Sequence, residues 1–143
     1  MKPAEEVKRE FVRQWLSKAN ADLLVSRHLL EEGSQVLAIV GFHAQQAAEK
    51  ALKALLVWHQ IEFPKTHDIG RLVELIAGFD ASLAAHLQAA SSLTPYGAQH
   101  RYPGDLPEPS VADAERAVQI AVTVWNKVVE RLPAEFRIRE PGK

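Results

Sequence analysis

Cysteine is absent from the 143 residues, which excludes disulfide staples, thiolate nucleophiles and cysteine-ligated zinc. A chain without thiols fits a reducing cytoplasm. An excess of one charge is also missing. The 17 lysines and arginines face 18 aspartates and glutamates, for a net charge of −1. No global field therefore draws the protein to nucleic acid or anionic lipid, although a local basic groove stays open. The apolar runs are only a few residues long, far short of the roughly 20 a spanning helix needs. The opening MKPAEEVKREFVRQW is charged and lacks the apolar core of a signal peptide. No strand-like alternation, internal repeat or low-complexity tract occurs. Walker, GxGxxG, GxSxG and HExxH motifs are absent, and His28, His43, His59 and His86 are scattered without ligand spacing. Neither a cofactor nor a metal is expected.

What remains is ordinary core material. Apolar residues make up 47% of the chain, and a domain of this length buries about 70% of its unfolded surface. One domain over 1–143 is expected, with its core at about 5–132. Val12, Trp15, Leu16, Ala19, Leu23, Ser26 and Leu30 share one stripe of a helix running from about Glu5 to Glu32. Gly33 stops it, and Ser34 reads as the N-cap of a second helix reaching about His59. That helix buries Leu37, Val40, Ala44, Ala47, Ala48, Ala51, Leu55 and Trp58. Phe42, Gln46, Glu49, Lys50, Lys53 and Val57 lie opposite, a mixed face that suits a partner or dimer surface.

Pro64 ends the next turn, and Thr66 is expected to cap a short helix carrying Ile69, Leu72, Val73, Leu75 and Ile76. A fourth begins near Asp80, with Leu83, Leu87, Ala90 and Leu93 inward. Thr94–Pro109 holds four of the eight prolines and two of the seven glycines, which makes it a long loop. Ser110 caps the last helix, with Asp113 as an imperfect capping box. Its apolar face is Val111, Ala114, Ala117, Val118, Ala121, Trp125, Val128 and Leu132. The charged tail at 133–143 is expected to be flexible, and the three tryptophans to be core. The fold class is all-α: an up-and-down antiparallel bundle of four to five helices, the longest antiparallel.

Three blocks occur in order: GFHAQQAAEKALKALLV (Gly41–Val57), PKTHDIGRLVEL (Pro64–Leu75) and YGAQHRYPGD (Tyr96–Asp105). Together they resemble the HEPN domain family, small helical bundles, over roughly Phe11 to Leu132. The resemblance implies a homodimer acting with a separate minimal nucleotidyltransferase of the MNT type, in a two-gene module of toxin–antitoxin kind. Other members are ribonucleases that carry an Arg, four to six residues, then a His. This chain departs from that pattern. Arg101 is followed by YPGDLPEP, and its close histidine, His100, precedes it.

The residue chemistry offers three candidates for a nucleotide or RNA ligand. In His100-Arg101-Tyr102, and with Tyr96 nearby, Arg supplies a planar donor fork for phosphate, an aromatic stacks on a base, and His100 can exchange a proton. The bland alternative is a loop pinned by its tyrosines, with Arg101 paired to a helix-end carboxylate. His67-Asp68 opens a helix, where an anion is favoured; alternatively His67 bonds across the bundle and Asp68 stabilises the first turn. Lys50 can steer phosphate beside Gln46, Glu49 and Lys53, although Glu49 and Lys53 are also an ordinary i, i+4 pair. The leading expectation is a non-enzymatic or weakly enzymatic binding protein. A ribonuclease toxin using His100 and Arg101 is the alternative, and a purely structural dimerisation or docking module is a third reading.

Overall fold

The computed structural model describes residues 3–97 and 108–137, and of Ser34 only the backbone. Among them there is no strand, and no helix is long and apolar enough to cross a membrane. Helix α1 spans Ala4–Glu32, its first turn carrying Glu5 and Glu6, whose charge suits the helix N-terminus. It buries Val12, Leu16, Ala19, Leu23 and Ser26. Trp15 is half-buried against the core, as is Trp58 of the next helix, and only Trp125 is fully enclosed.

Gly33 sits at φ 104°, a backbone region closed to most L residues. One short 3₁₀ turn, Ser34–Val36, completes the reversal, and helix α2 then runs Leu37–Trp58. Ser34 is therefore part of the turn rather than the cap of α2. The register is antiparallel: Lys8 lies over Trp58, Asp22 meets His43, and the Ser26 hydroxyl donates to the Val40 carbonyl at 2.8 Å.

Helix α2 is the centre of the molecule. It packs on α1, on helix α3 (Ile69–Ala77), on the 3₁₀ run Gln88–Gly97 and on helix α5 (Val111–Glu130). Ala44, Ala47, Ala48, Ala51 and Ala54 are all buried, and their small side chains let these neighbours approach closely. Partners on so many sides correct one expectation. Glu49 and Lys53 do not face a partner; they are 3% and 7% exposed. Phe42, Gln46 and Val57 are half-buried.

Asp68, not Thr66, caps α3, accepting from the Arg71 N–H at 3.3 Å. Thr66 braces that cap by accepting from the Asp68 N–H, and Thr94 accepts from the Ile69 N–H at 3.1 Å. Helix α4 (Ala81–His86) is capped by Asp80. The chain then descends through Gln88–Gly97, so the stretch expected to be loop from Thr94 is helical as far as Gly97. Leu83, Leu87, Ala90 and Leu93 are buried as expected. Ser110 and Asp113 make a complete reciprocal capping box on α5. Val111, expected on the apolar face, is 47% exposed, because it precedes the first buried turn. Helix α5 lies parallel to α2: Ala114 and Val118 pack with Val40, and Phe136 beyond its end meets Trp58.

The segment after Pro133 is docked, not frayed, as far as Arg137. Ala134–Phe136 forms a 3₁₀ turn, with Phe136 1% exposed and edge-on to Trp58 at 5.5 Å. Burying that ring contributes about 1.5–3 kcal/mol, comparable to fixing two backbone residues at about 1–2 kcal/mol each. The ion pairs of Glu135 with Arg9 and Arg13, and the two guanidiniums beside the Phe136 ring, add to the docking. Residues 138–143 lie outside the described residues.

Gly41 of α2 lies under the Tyr96 ring, where an added Cβ would fall inside van der Waals contact. Alanine normally stabilises a helix interior by about 1 kcal/mol over glycine. Here overpacking at about 1–3 kcal/mol outweighs it. Gly41→Ala is expected to lower the melting temperature, and adding Tyr96→Ala to remove that penalty in a double-mutant cycle. A second expectation concerns acid. The Ser110 N–H, and then its hydroxyl interaction, hold the Asp113 carboxyl below its ordinary range. Because the folded value lies below the unfolded one, this contribution is present above about pH 3.9 and is lost as pH falls through the folded value. Asp113→Asn should flatten that part of the acid-denaturation curve.

Candidate functional site

Residues Gln45, Glu49 and Lys53 follow each other at i, i+4, i+8 on one edge of α2. The Glu49 carboxylate is enclosed and shared. Oε1 accepts from Gln45 Nε2 at 3.0 Å and meets His67 Nδ1 at 2.8 Å, while Oε2 takes the Lys53 ammonium at 3.0 Å. Gln45 Nε2 also donates to the His67 carbonyl at 3.2 Å, and Gln46 Nε2 donates to Gln45 Oε1 at 2.7 Å. Gly97 packs closely on the Gln45 amide, where a side chain would fit only if that amide shifted. A carboxylate only accepts, so the proton between Glu49 and His67 belongs to Nδ1. The His67 side chain is 63% exposed although its anchor is buried.

The other edge of α2 repeats the arrangement with a carboxylate from α1. Asp22 Oδ1 meets His43 Nδ1 at 2.8 Å, and Oδ2 takes the Lys50 ammonium at 2.5 Å. Each carboxylate is therefore clamped by one lysine and one histidine on opposite oxygens. The Phe42 ring stands edge-on to His43 at 5.3 Å.

Of the expected ligand residues, His67 and Tyr96 converge on the Gln45 edge of α2. Lys50 sits on the Asp22 edge, one of its three donors already committed. Tyr96 is half-buried on Gly41; burial, and then the nearby Asp113 charge, push its phenol upward, so the hydroxyl stays protonated. His100, Arg101 and Tyr102 lie outside the described residues. The pairing of Asp22 with His43 leaves no mark in the sequence. Only the antiparallel register of α1 on α2 sets them face to face, and periodicity within one helix carries no sign of it. Among the described residues no three His, Asp or Glu side chains gather as a metal would require. The arrangement suits positioning of imidazoles for hydrogen bonding or proton exchange.

The energetics of the Glu49 cluster are testable. Removing one partner of a buried ion pair costs about 3–5 kcal/mol, because the other charge is left uncompensated. Glu49→Gln is expected to destabilise by that order in urea unfolding, with the m-value unchanged. Glu49→Gln with Lys53→Met should recover most of the loss.

The comparisons with known proteins agree with this architecture. The HEPN domain profile matches residues 12–132. The crystal structure of ST0689, an archaeal HEPN homologue, is 28% identical and has a TM-score of 0.65, the match covering 84% of this chain and 96% of that one. The crystal structure of TT1696 from Thermus thermophilus is 30% identical with a TM-score of 0.69, over 85% of this chain and 98% of that one. No curated protein matches. The profile covers most of the chain, and with it the whole α2 scaffold that holds both clamped carboxylates: the chain belongs to the HEPN domain family.

Proposed function

We propose that this chain is a dimeric, cytoplasmic HEPN protein that binds nucleotide or RNA and acts with a separate MNT-type nucleotidyltransferase in a toxin–antitoxin-like module. The observation that supports a ligand site most is His67. Its ring is held by a buried carboxylate while its side chain is 63% exposed. Tyr96 and Gly97 dock on the same edge of α2, three residues before His100 in the sequence. In this reading Arg101 meets phosphate, Tyr96 and Tyr102 stack on a base, and His67 or His100 fixes orientation, while Lys50 stays with Asp22 on the other edge of α2. The partner surface keeps Phe42, Gln46 and Val57 and loses Glu49 and Lys53. Ile39, one turn before His43, and Val25, one turn after Asp22, are 47% and 38% exposed and extend that surface with apolar area.

Titrating the purified protein with mononucleotides and short RNA tests the cleft. His67→Ala and Arg101→Ala should each weaken binding about tenfold or more, the worth of a charge-assisted hydrogen bond. Unchanged affinity in both would remove this cleft. Sedimentation equilibrium reads the dimer, and co-purification with an adjacently encoded nucleotidyltransferase reads the module.

His67 also favours a second reading, metal-independent ribonuclease chemistry. An imidazole oriented by a carboxylate is suited to take a proton from a 2′-hydroxyl. RNA cleavage that disappears in His67→Ala or His100→Ala supports it. No cleavage at any protein concentration ends it.

A further inference from the structure

On α1, ending one turn before Asp22, Phe11, Gln14, Trp15 and Lys18 line a cavity of about 190 Å³. Their spacing puts all four on one side of the helix. Phe11 is 51% exposed, more than any other large apolar side chain among the described residues. Trp15 forms a fixed wall: its ring stands edge-on to Phe63 at 6.4 Å, and the Lys53 ammonium lies 5.4 Å from its centroid. The same ammonium holds Glu49, which holds His67. The cavity is therefore joined to the α2 edge through one shared cation.

Among the described residues the polar groups lining this cavity are uncommitted. Lys8, Arg9 and Arg13 of α1 are paired with Glu5 or Glu135. Gln14 and Lys18 have no hydrogen bond or ion pair among the described residues. A cavity smaller than the roughly 300 Å³ of a drug-sized site suits one ring system rather than a whole cofactor. Two aromatic faces, one free amide and one free ammonium match a base with its phosphate.

We propose that this cavity is a nucleobase subsite. The base stacks on Phe11 against the Trp15 wall, the Gln14 amide bonds its edge, and Lys18 takes the adjoining phosphate. The ligand is a nucleotide unit, free or within single-stranded RNA. The proposal rests on the nucleotide- or RNA-binding reading above and adds a second contact region to it.

The test titrates wild type, Phe11→Leu, Phe11→Trp and Lys18→Gln with AMP and with a short oligoadenylate. Leucine keeps apolar area but has no π face, so Phe11→Leu should weaken binding roughly 5- to 150-fold, while Phe11→Trp retains it. Lys18→Gln should weaken binding and lower the salt slope for the oligonucleotide by roughly 0.7. Losses with both probes assign a free nucleotide as sufficient ligand; losses with oligoadenylate alone assign RNA, and either supports the subsite. If Phe11→Leu and Lys18→Gln bind as wild type while His67→Ala is weakened, the subsite falls and the RNA-binding reading stands. If wild type binds neither probe, both fall. A Phe11→Leu variant that changes oligomeric state at unchanged affinity also overturns the subsite and makes this face a contact between copies of the chain.

Discussion

A single enclosed carboxylate organises this molecule. Glu49 lies in the middle of a helix that is itself surrounded, where an unpaired charge would be costly to keep. Its two oxygens therefore fix three groups: Gln45 one turn before it, Lys53 one turn after it, and His67 from the segment leading to α3. Gln45 passes the constraint on through the His67 carbonyl and the close contact with Gly97. Residues 59–68 form no helix, and the 3₁₀ run Gln88–Gly97 meets this polar cluster at its end, through Gly97, while its Ala90 and Leu93 pack in the core.

The scaffold was largely readable from spacing alone. The α1 stripe, the alanine seam of α2 and the inward leucines at 83, 87 and 93 follow from a 3.6-residue period and need no knowledge of neighbours. The Ser110–Asp113 box is likewise local. The misplaced features share one cause. Glu49 and Lys53 read as outward because α2 was given one buried face, whereas a central helix has partners on most sides. Phe136 read as tail because its anchors, Trp58, Arg9 and Arg13, are remote in sequence. Asp22 and His43 meet only through helix register. For the candidate site, single residues such as His67 and Tyr96 were visible as chemistry, but their company was not, since pairing across elements leaves no mark in a linear pattern.

The two clamped carboxylates also show how one helix serves packing and chemistry together. Both lysines of α2 are spent mainly on neutralising acids, so the positive charge counted along that helix is not free field. Each imidazole, by contrast, is held through Nδ1 by a carboxylate, and the His67 side chain is largely exposed. Recognition on this face would depend more on placed hydrogen-bond groups than on bulk electrostatics, in keeping with a chain of nearly zero net charge.

The docked Phe136 turn joins the last described residues to the first turns of α1. Arg9 and Glu135 close almost the whole domain into a ring, and the entropic cost of closing so long a loop rises only slowly with its length. Separating Ala134–Phe136 from the first turns of α1 would therefore break the Arg9–Glu135 pair and withdraw Phe136 from Trp58, the last residue of α2.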